Sequence, residues 1–163
     1  MYGKILIADD DLGLAEVLAM RCEAAGLETI VVDNAQCALL AILSEQPDVA
    51  VLDLNMPAAN DGDVLELLAT DPELSQTPVI ILTGQKDHET IERCRSLMVH
   101  YIPKQRNVWI RLKRTIEQLL TRRECSGKPR NAEFSSTSGI LHHGFQKPSG
   151  DKLVLRAMNS VRS

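Results

Sequence analysis

Four short apolar runs each end on a polar residue that can do chemistry. ILIA (5–8) runs into Asp9, Asp10 and Asp11; VAVL (49–52) into Asp53; VIIL (79–82) into Thr83; HYIP (100–103) into Lys104. A charge at the mouth of a core element needs a partner. Two or three carboxylates brought to one place repel one another, and their pKa values rise unless a cation is present. A divalent metal is the simple remedy. With only oxygen donors and an incomplete protein cage, Mg²⁺ suits such a site better than Zn²⁺, because it keeps several waters and shares its shell with phosphate oxygens. A lysine and a hydroxyl facing that metal make a receptacle for a phosphoryl group, Lys104 as a point charge and Thr83 as a hydrogen-bond donor. Asp53 between them can be the nucleophile that forms an aspartyl phosphate.

The elements that must position these groups are legible as an alternation. KILIA (4–8) precedes a helix through about residue 25; ETIVV (28–32) precedes a helix from Ala35 to Ser44; DVAVL (48–52) precedes a helix from about Gly62 to Ala69. PVIIL (78–82) precedes a helix from about His88 to Met98, and HYIP (100–103) precedes a closing helix to about Arg123. Continuous Val/Ile/Leu runs, without period-two polarity, predict strands buried on both faces of a parallel sheet with helices on each side. The fold class is therefore α/β: a doubly wound (βα)5 three-layer sandwich of flavodoxin-like type, with strand order 2-1-3-4-5. Ligands of such sheets bind beyond the carboxyl ends of the strands, near the point where strand order reverses, which is where the four polar strand ends fall. Punctuation agrees. Gly26 is placed to cap the first helix, Pro47 and Pro78 stand just before strands, and Asp87 can cap the helix that follows it. Asp11 reads as the N-cap or first turn of the first helix, not as a third ligand. Trp109, Leu112, Ile116 and Leu119 make one core-facing stripe on the last helix.

Bulk properties set the class. A chain of 163 residues with 44% hydrophobic and 3% aromatic content suits one domain with an aliphatic core, plus an appendage. The net charge of −4 hides an asymmetry: residues 1–120 hold 10 Lys and Arg against 19 Asp and Glu, whereas residues 121–163 hold 8 against 3. An acidic body argues against a nucleic-acid surface there, and no direct nucleic-acid contact is expected. From Ser126 onward 13 of 38 residues are Gly, Pro or Ser, so residues 124–163 read as a flexible basic tail after a domain spanning 1–123. Within that tail DKLVLRAMNSV (151–161) carries an amphipathic pattern too short to be a stable helix alone. Cys22, Cys37, Cys94 and Cys125 form no CxxC pair, which fits reduced thiols. The N-terminus lacks the order of a signal peptide, and no apolar run approaches the roughly 20 residues that span a bilayer. A cytoplasmic protein without membrane contact is the expectation.

ILIADDD, VAVLDLNMP, PVIILTG and HYIPK, in this order on the expected strands, resemble the receiver domain of bacterial two-component response regulators, of the chemotaxis-regulator type. The resemblance covers residues 1 to about 123. It implies that Asp9 and Asp10 are the acidic metal-binding pair, Asp53 the phosphoacceptor, Thr83 the switch hydroxyl and Lys104 the site lysine. It further implies that the backbone carbonyl of Asn55 completes the metal shell with Asp53, and that Tyr101 is the aromatic switch position. Gln105 stands where the family usually has proline after the lysine, and three residues (Ala58, Ala59, Asn60) separate MP from DG, one more than the commonest pattern.

The function so implied is a phosphorelay switch. A sensor histidine kinase or phosphotransfer protein, or a small phosphodonor, gives its phosphoryl group to Asp53 in a Mg²⁺-dependent reaction that the domain itself catalyses. Thr83 and Tyr101 then shift the face made by the fourth helix, fifth strand and fifth helix, where a downstream effector protein docks or a second copy pairs. Two other readings compete. A phosphate-insensitive receiver-like adaptor or dimerisation module would not need the intact reactive set. A small aspartate-nucleophile phosphatase would use a DxD pair, whereas this chain has Asp53-Leu54-Asn55 and lacks the second carboxylate as general acid or base. A signalling domain without turnover of an external substrate is the expectation. His142 and His143 have no nearby carboxylate or thiol set that suggests a metal site and read as solvated, and His88 and His100 lack a triad. With no recognition-helix pattern in the tail, output by protein contact from a single-domain regulator is expected over a piece of a longer effector-bearing chain.

Overall fold

The computed structural model describes residues 2–56, 64–84, 88–97 and 99–125, the side chains of Thr90 and Glu124 excepted. The elements follow one another as β1 (Lys4–Ala8), α1 (Leu12–Ala24), β2 (Glu28–Val32), α2 (Ala35–Glu45), β3 (Val49–Leu52), α3 (Val64–Thr70), a 3-10 turn (Leu74–Gln76), β4 (Val79–Thr83), α4 (His88–Ser96), β5 (His100–Pro103) and α5 (Val108–Cys125). All strand pairs are parallel, in the order β2-β1-β3-β4-β5. The expected doubly wound α/β sheet is the one observed.

Parity along the central strands divides the core into two layers. Ile5, Ile7, Val49, Val51, Ile80 and Leu82 face α1 and α5, meeting Ala15, Leu18, Cys22, Leu112 and Ile116. Leu6, Ala8, Ala50, Leu52 and Ile81 face the other way, onto Ala38, Ile42, Leu65, Leu68, Leu74 and Cys94. The register brings like parities together, with Ile5 beside Val49 and Val51 beside Ile80. Every residue of β3 and β4 is buried, so burial on both faces holds at the sheet centre. It does not hold at the edges. β2 and β5 each have a neighbour on one side only, and Glu28, Val31 and His100 are exposed despite the apolar character of their runs.

The local signals mostly operate as read. Asp11 caps α1, its Oδ1 accepting the Leu14 N–H at 3.1 Å. The C-cap of α1 is Ala25, and Gly26 comes one position later at φ 87, the left-handed conformation that glycine enters without steric cost. On α5, Leu112, Ile116 and Leu119 are buried as expected, while Trp109 packs against the core only in part and carries the Arg21 guanidinium of α1 5.8 Å above its ring. Cys22 and Cys94 are buried, Cys37 is half-buried and Cys125 is exposed; all four are free thiols. α5 continues two residues past the expected domain end at 123. The expected start of α3 at Gly62, the cap at Asp87, Met98 and the tail from Ser126 lie outside the described residues. Among the described residues no helix is long and apolar enough to cross a membrane.

Candidate functional site

Strand order reverses between β1 and β3, and the residues that follow these two strands are Asp9 and Asp53. Both are held by the sheet's own hydrogen bonding carried one residue past the strand ends. The Asp53 N–H donates to Ala8 O at 2.9 Å, the Asp9 N–H to Val32 O at 3.1 Å, and the Lys104 N–H to Thr83 O at 2.9 Å. The reactive side chains thus start from fixed main chain while projecting out of the core.

There they converge. Lys104 Nζ donates to Asp53 Oδ2 at 2.7 Å and to Asp9 Oδ1 at 2.9 Å. It also lies 2.7 Å from Asp9 Oδ2, but this second contact lacks hydrogen-bond geometry, so that buried oxygen has charge beside it and, among the described residues, no donor aimed at it. Asp9 Oδ1 further accepts the Asp11 N–H at 3.0 Å. Asp53 Oδ1 accepts the Asn55 N–H at 3.1 Å. Thr83 is fully buried at the end of β4, and its Oγ1 accepts from the Asn55 side-chain amide at 3.4 Å. Tyr101, half-buried on β5, pairs in register with Ile81, and so shares a sheet face with Thr83 but lies back from the site among the second core layer.

The electrostatics are undercompensated. Asp9, Asp10 and Asp53 can bring carboxylate oxygens within 4.8 Å of one another, and among the described residues the ammonium bonded to Asp9 and Asp53 is that of Lys104. Burial pushes the Asp9 carboxyl above its ordinary value, the charge of Asp53 adds to this, and the bonds from Lys104 and from the Asp11 N–H offset it only in part. Burial pulls Lys104 down, but its bonds to Asp53 and Asp9 outweigh that, and its pKa lies above the ordinary lysine value. Lys104 is charged at neutral pH. Three clustered carboxyl groups and, among the described residues, a buried oxygen without a donor are what an oxygen-liganded divalent cation would satisfy, so this donor set fits such an ion. Asp10, exposed at the rim, suits a ligand shared with water.

Of the sequence-predicted residues, Asp9, Asp10, Asp53, Asn55, Thr83 and Lys104 are brought together, and Tyr101 is one layer removed. What the structure adds is the partner of the Asn55 side chain: its carbonyl is the contribution expected to the metal shell, and its amide reaches Thr83. An amide two positions after a strand-end aspartate is a signal for such a contact only once the β3–β4 register is known.

The profile of the response regulator receiver domain family matches residues 5–109. The chain belongs to this family. The receiver is 37% identical over 87 residues to the DNA-binding response regulator MtrA of Mycobacterium tuberculosis, covering 53% of this chain and 37% of that one. It is 34% identical over 92 residues to the phosphate regulon transcriptional regulatory protein PhoB of Pseudomonas aeruginosa, covering 55% of this chain and 40% of that one. The match thus spans less than half the length of these curated relatives. Among solved structures it is similar to the receiver domain of the Francisella response regulator 1452, at 30% identity and TM-score 0.65 over 74% of this chain and 98% of that one. The chemotaxis response regulator CheY4 of Vibrio cholerae shares the fold at 21% identity and TM-score 0.62, over 73% of this chain and 99% of that one. The receiver is a two-component signalling domain of response-regulator type. The expectation that it touches no nucleic acid finds no support here, because the name of the first relative is that of a DNA-binding protein.

Proposed function

We propose that this receiver accepts a phosphoryl group on Asp53 and changes its protein contacts as a result. The observation that carries the reading is Lys104 Nζ, 2.7 Å from Asp53 Oδ2 and bonded also to Asp9, at the switch point of a receiver-family sheet. A carboxylate oxygen of Asp53 attacks the phosphorus of a phosphohistidine on a sensor histidine kinase or phosphotransfer protein, or that of a small acyl phosphate. The P–O bond to Asp53 forms as the bond to the donor breaks: a phosphoimidazole already protonated on its other ring nitrogen takes the electron pair and leaves as neutral imidazole, and an acyl phosphate leaves as its carboxylate. Lys104 neutralises charge on the transferred oxygens, Asp9 holds Lys104 on station, and Thr83 donates its hydroxyl hydrogen to a phosphoryl oxygen. Asp9, Asp10, Asp53 and the Asn55 carbonyl are the residues that would hold Mg²⁺. When bound, Mg²⁺ supplies positive charge to the phosphoryl oxygens and relieves the carboxylate repulsion.

Thr83 and Tyr101 share a sheet face, which supports their reading as a switch pair whose rearrangement alters the surface of α4, β5 and α5. A downstream effector or a second copy would read that surface. Residues 1–123 form the receiver unit in this reading, with 124–163 a basic tail, in a cytoplasmic protein whose chemistry is confined to its own phosphorylation and dephosphorylation. Intact-protein mass spectrometry after incubation with acetyl phosphate tests the core of it. A single Mg²⁺-dependent phosphoryl adduct is expected on the wild type and none on Asp53→Asn. No adduct from acetyl phosphate or from a kinase would return the choice to the phosphate-insensitive adaptor.

A further inference from the structure

Asn55 is tied at both ends. Its main-chain N–H donates to Asp53 Oδ1 at 3.1 Å and its side-chain amide to Thr83 Oγ1 at 3.4 Å. One residue therefore joins the carboxylate beyond β3 to the hydroxyl that ends β4. A hydroxyl offers two acceptor positions and one hydrogen. With Asn55 Nδ2 on one acceptor position, any rotation that carries Oγ1 out of its present place breaks this bond. Thr83 is fully buried, so water does not replace the lost donor at its oxygen. Asn55 is exposed, and its amide turns to solvent without loss. The Asn55 contribution to this hold is a neutral hydrogen bond that, at 3.4 Å, is longer than the ordinary N–H···O range of about 2.7–3.2 Å.

We propose that Asn55 is a positioning residue which holds the Thr83 hydroxyl in its resting place, and that phosphorylation of Asp53 loosens this hold through the Asn55 main-chain N–H. The inference rests on Asp53 being the phosphoacceptor. While Asp53 is a carboxylate, its Oδ1 is an anionic acceptor, and bonds to such acceptors are about twice as strong as neutral ones. Conversion to the acyl phosphate removes that carboxylate charge. The turn at Asn55 is then held more weakly, and Thr83 exchanges the amide for a phosphoryl oxygen, to which it donates.

The test uses the amide NMR signals of Thr83 and Tyr101 with Mg²⁺ present. Wild type with and without acetyl phosphate defines the two ends of the switch, and intact mass on the same samples records phosphorylation. Asn55→Ala without phosphodonor is expected to move both signals toward the phosphorylated end, by about a threefold change in the resting equilibrium. In a Thr83→Val background the same substitution is expected to move the Tyr101 signal no further, because the bond it removes is already gone. Unmoved signals in Asn55→Ala, or an equal displacement in the Thr83→Val background, would overturn the inference. If the wild type takes no phosphoryl group, the phosphoacceptor reading falls and this one with it. A phosphorylated wild type with an unmoved Asn55→Ala variant overturns this one alone.

Discussion

Replacing Lys104 by methionine keeps most of the side chain's length and removes its charge from between two carboxylates. The ammonium lies 2.7 Å from Asp53 Oδ2 and 2.7 Å from Asp9 Oδ2, and both carboxylate side chains are only 2% exposed. Removing one partner of a buried ion pair costs roughly 3–5 kcal/mol, because the remaining charge is left without compensation. The lysine side chain is 20% exposed, so water reaches the vacated place and the lower end applies, about 3 kcal/mol at neutral pH. The deficit has a defined pH dependence. Burial already raises the Asp9 carboxyl, and loss of the Lys104 bond and charge raises it further. A folded carboxyl that binds its proton more tightly than the unfolded one makes stability fall as pH rises. The variant's deficit is therefore largest at neutral pH and shrinks as pH falls toward the unfolded value near 3.8. Mg²⁺ should narrow it as well, since the cation supplies charge to the same oxygens. Urea unfolding of both proteins across roughly pH 4 to 8, with and without Mg²⁺, measures the difference. A deficit of equal size at every pH, or none, would refute the account of Lys104 as the charge that draws the Asp9 carboxyl downward against burial.

Other outcomes follow from the same structure. Asp10→Asn removes one of three crowded carboxylates at an exposed rim position, so it should raise metal-free stability and reduce the stabilisation that Mg²⁺ gives, both read from melting temperature against Mg²⁺ concentration. Burial lifts the Cys22 thiol to about 11, so the folded state keeps a proton that the unfolded chain, with a value of 9.0, gives up. Stability should therefore fall as pH rises from 9.0 to about 11 by an amount approaching roughly 3 kcal/mol, and comparison with Cys22→Ala isolates this slope. In native protein a thiol reagent should label exposed Cys125 quickly and buried Cys22 and Cys94 slowly, as mass spectrometry of the peptides would report. Gly26→Ala forces a side chain into the left-handed conformation at φ 87 and should cost about 1–2 kcal/mol in denaturant unfolding.

Much of the site was legible because strand ends are where a parallel sheet must place its chemistry. Asp9, Asp53, Thr83 and Lys104 each follow an apolar run directly, and the order of a doubly wound sheet carries them to one edge without knowledge of any long-range contact. Edge burial was not legible. The ETIVV and HYIP runs look like those of the centre, yet Glu28, Val31 and His100 are exposed, because whether a strand has one neighbour or two depends on the whole sheet order and not on its own residues. Trp109 sat in the same periodic stripe as Leu112 and Ile116, but it lies one turn nearer the helix end, where α1 offers an arginine in place of a closed apolar layer.

The amino-acid sequence by itself determined the alternation of strands and helices, the apolar parity that splits the core in two, and the identity of the groups at the strand ends. These are properties of neighbours along the chain, set by periodicity, caps and steric preference. Only the tertiary structure decided that Lys104 spans Asp9 and Asp53, that one buried Asp9 oxygen lacks a donor, and that the Asn55 amide reaches Thr83. Those contacts join residues up to 95 positions apart, at distances where a few tenths of an ångström separate a hydrogen bond from a mere approach. Such distances are the joint outcome of the packing of every layer beneath them.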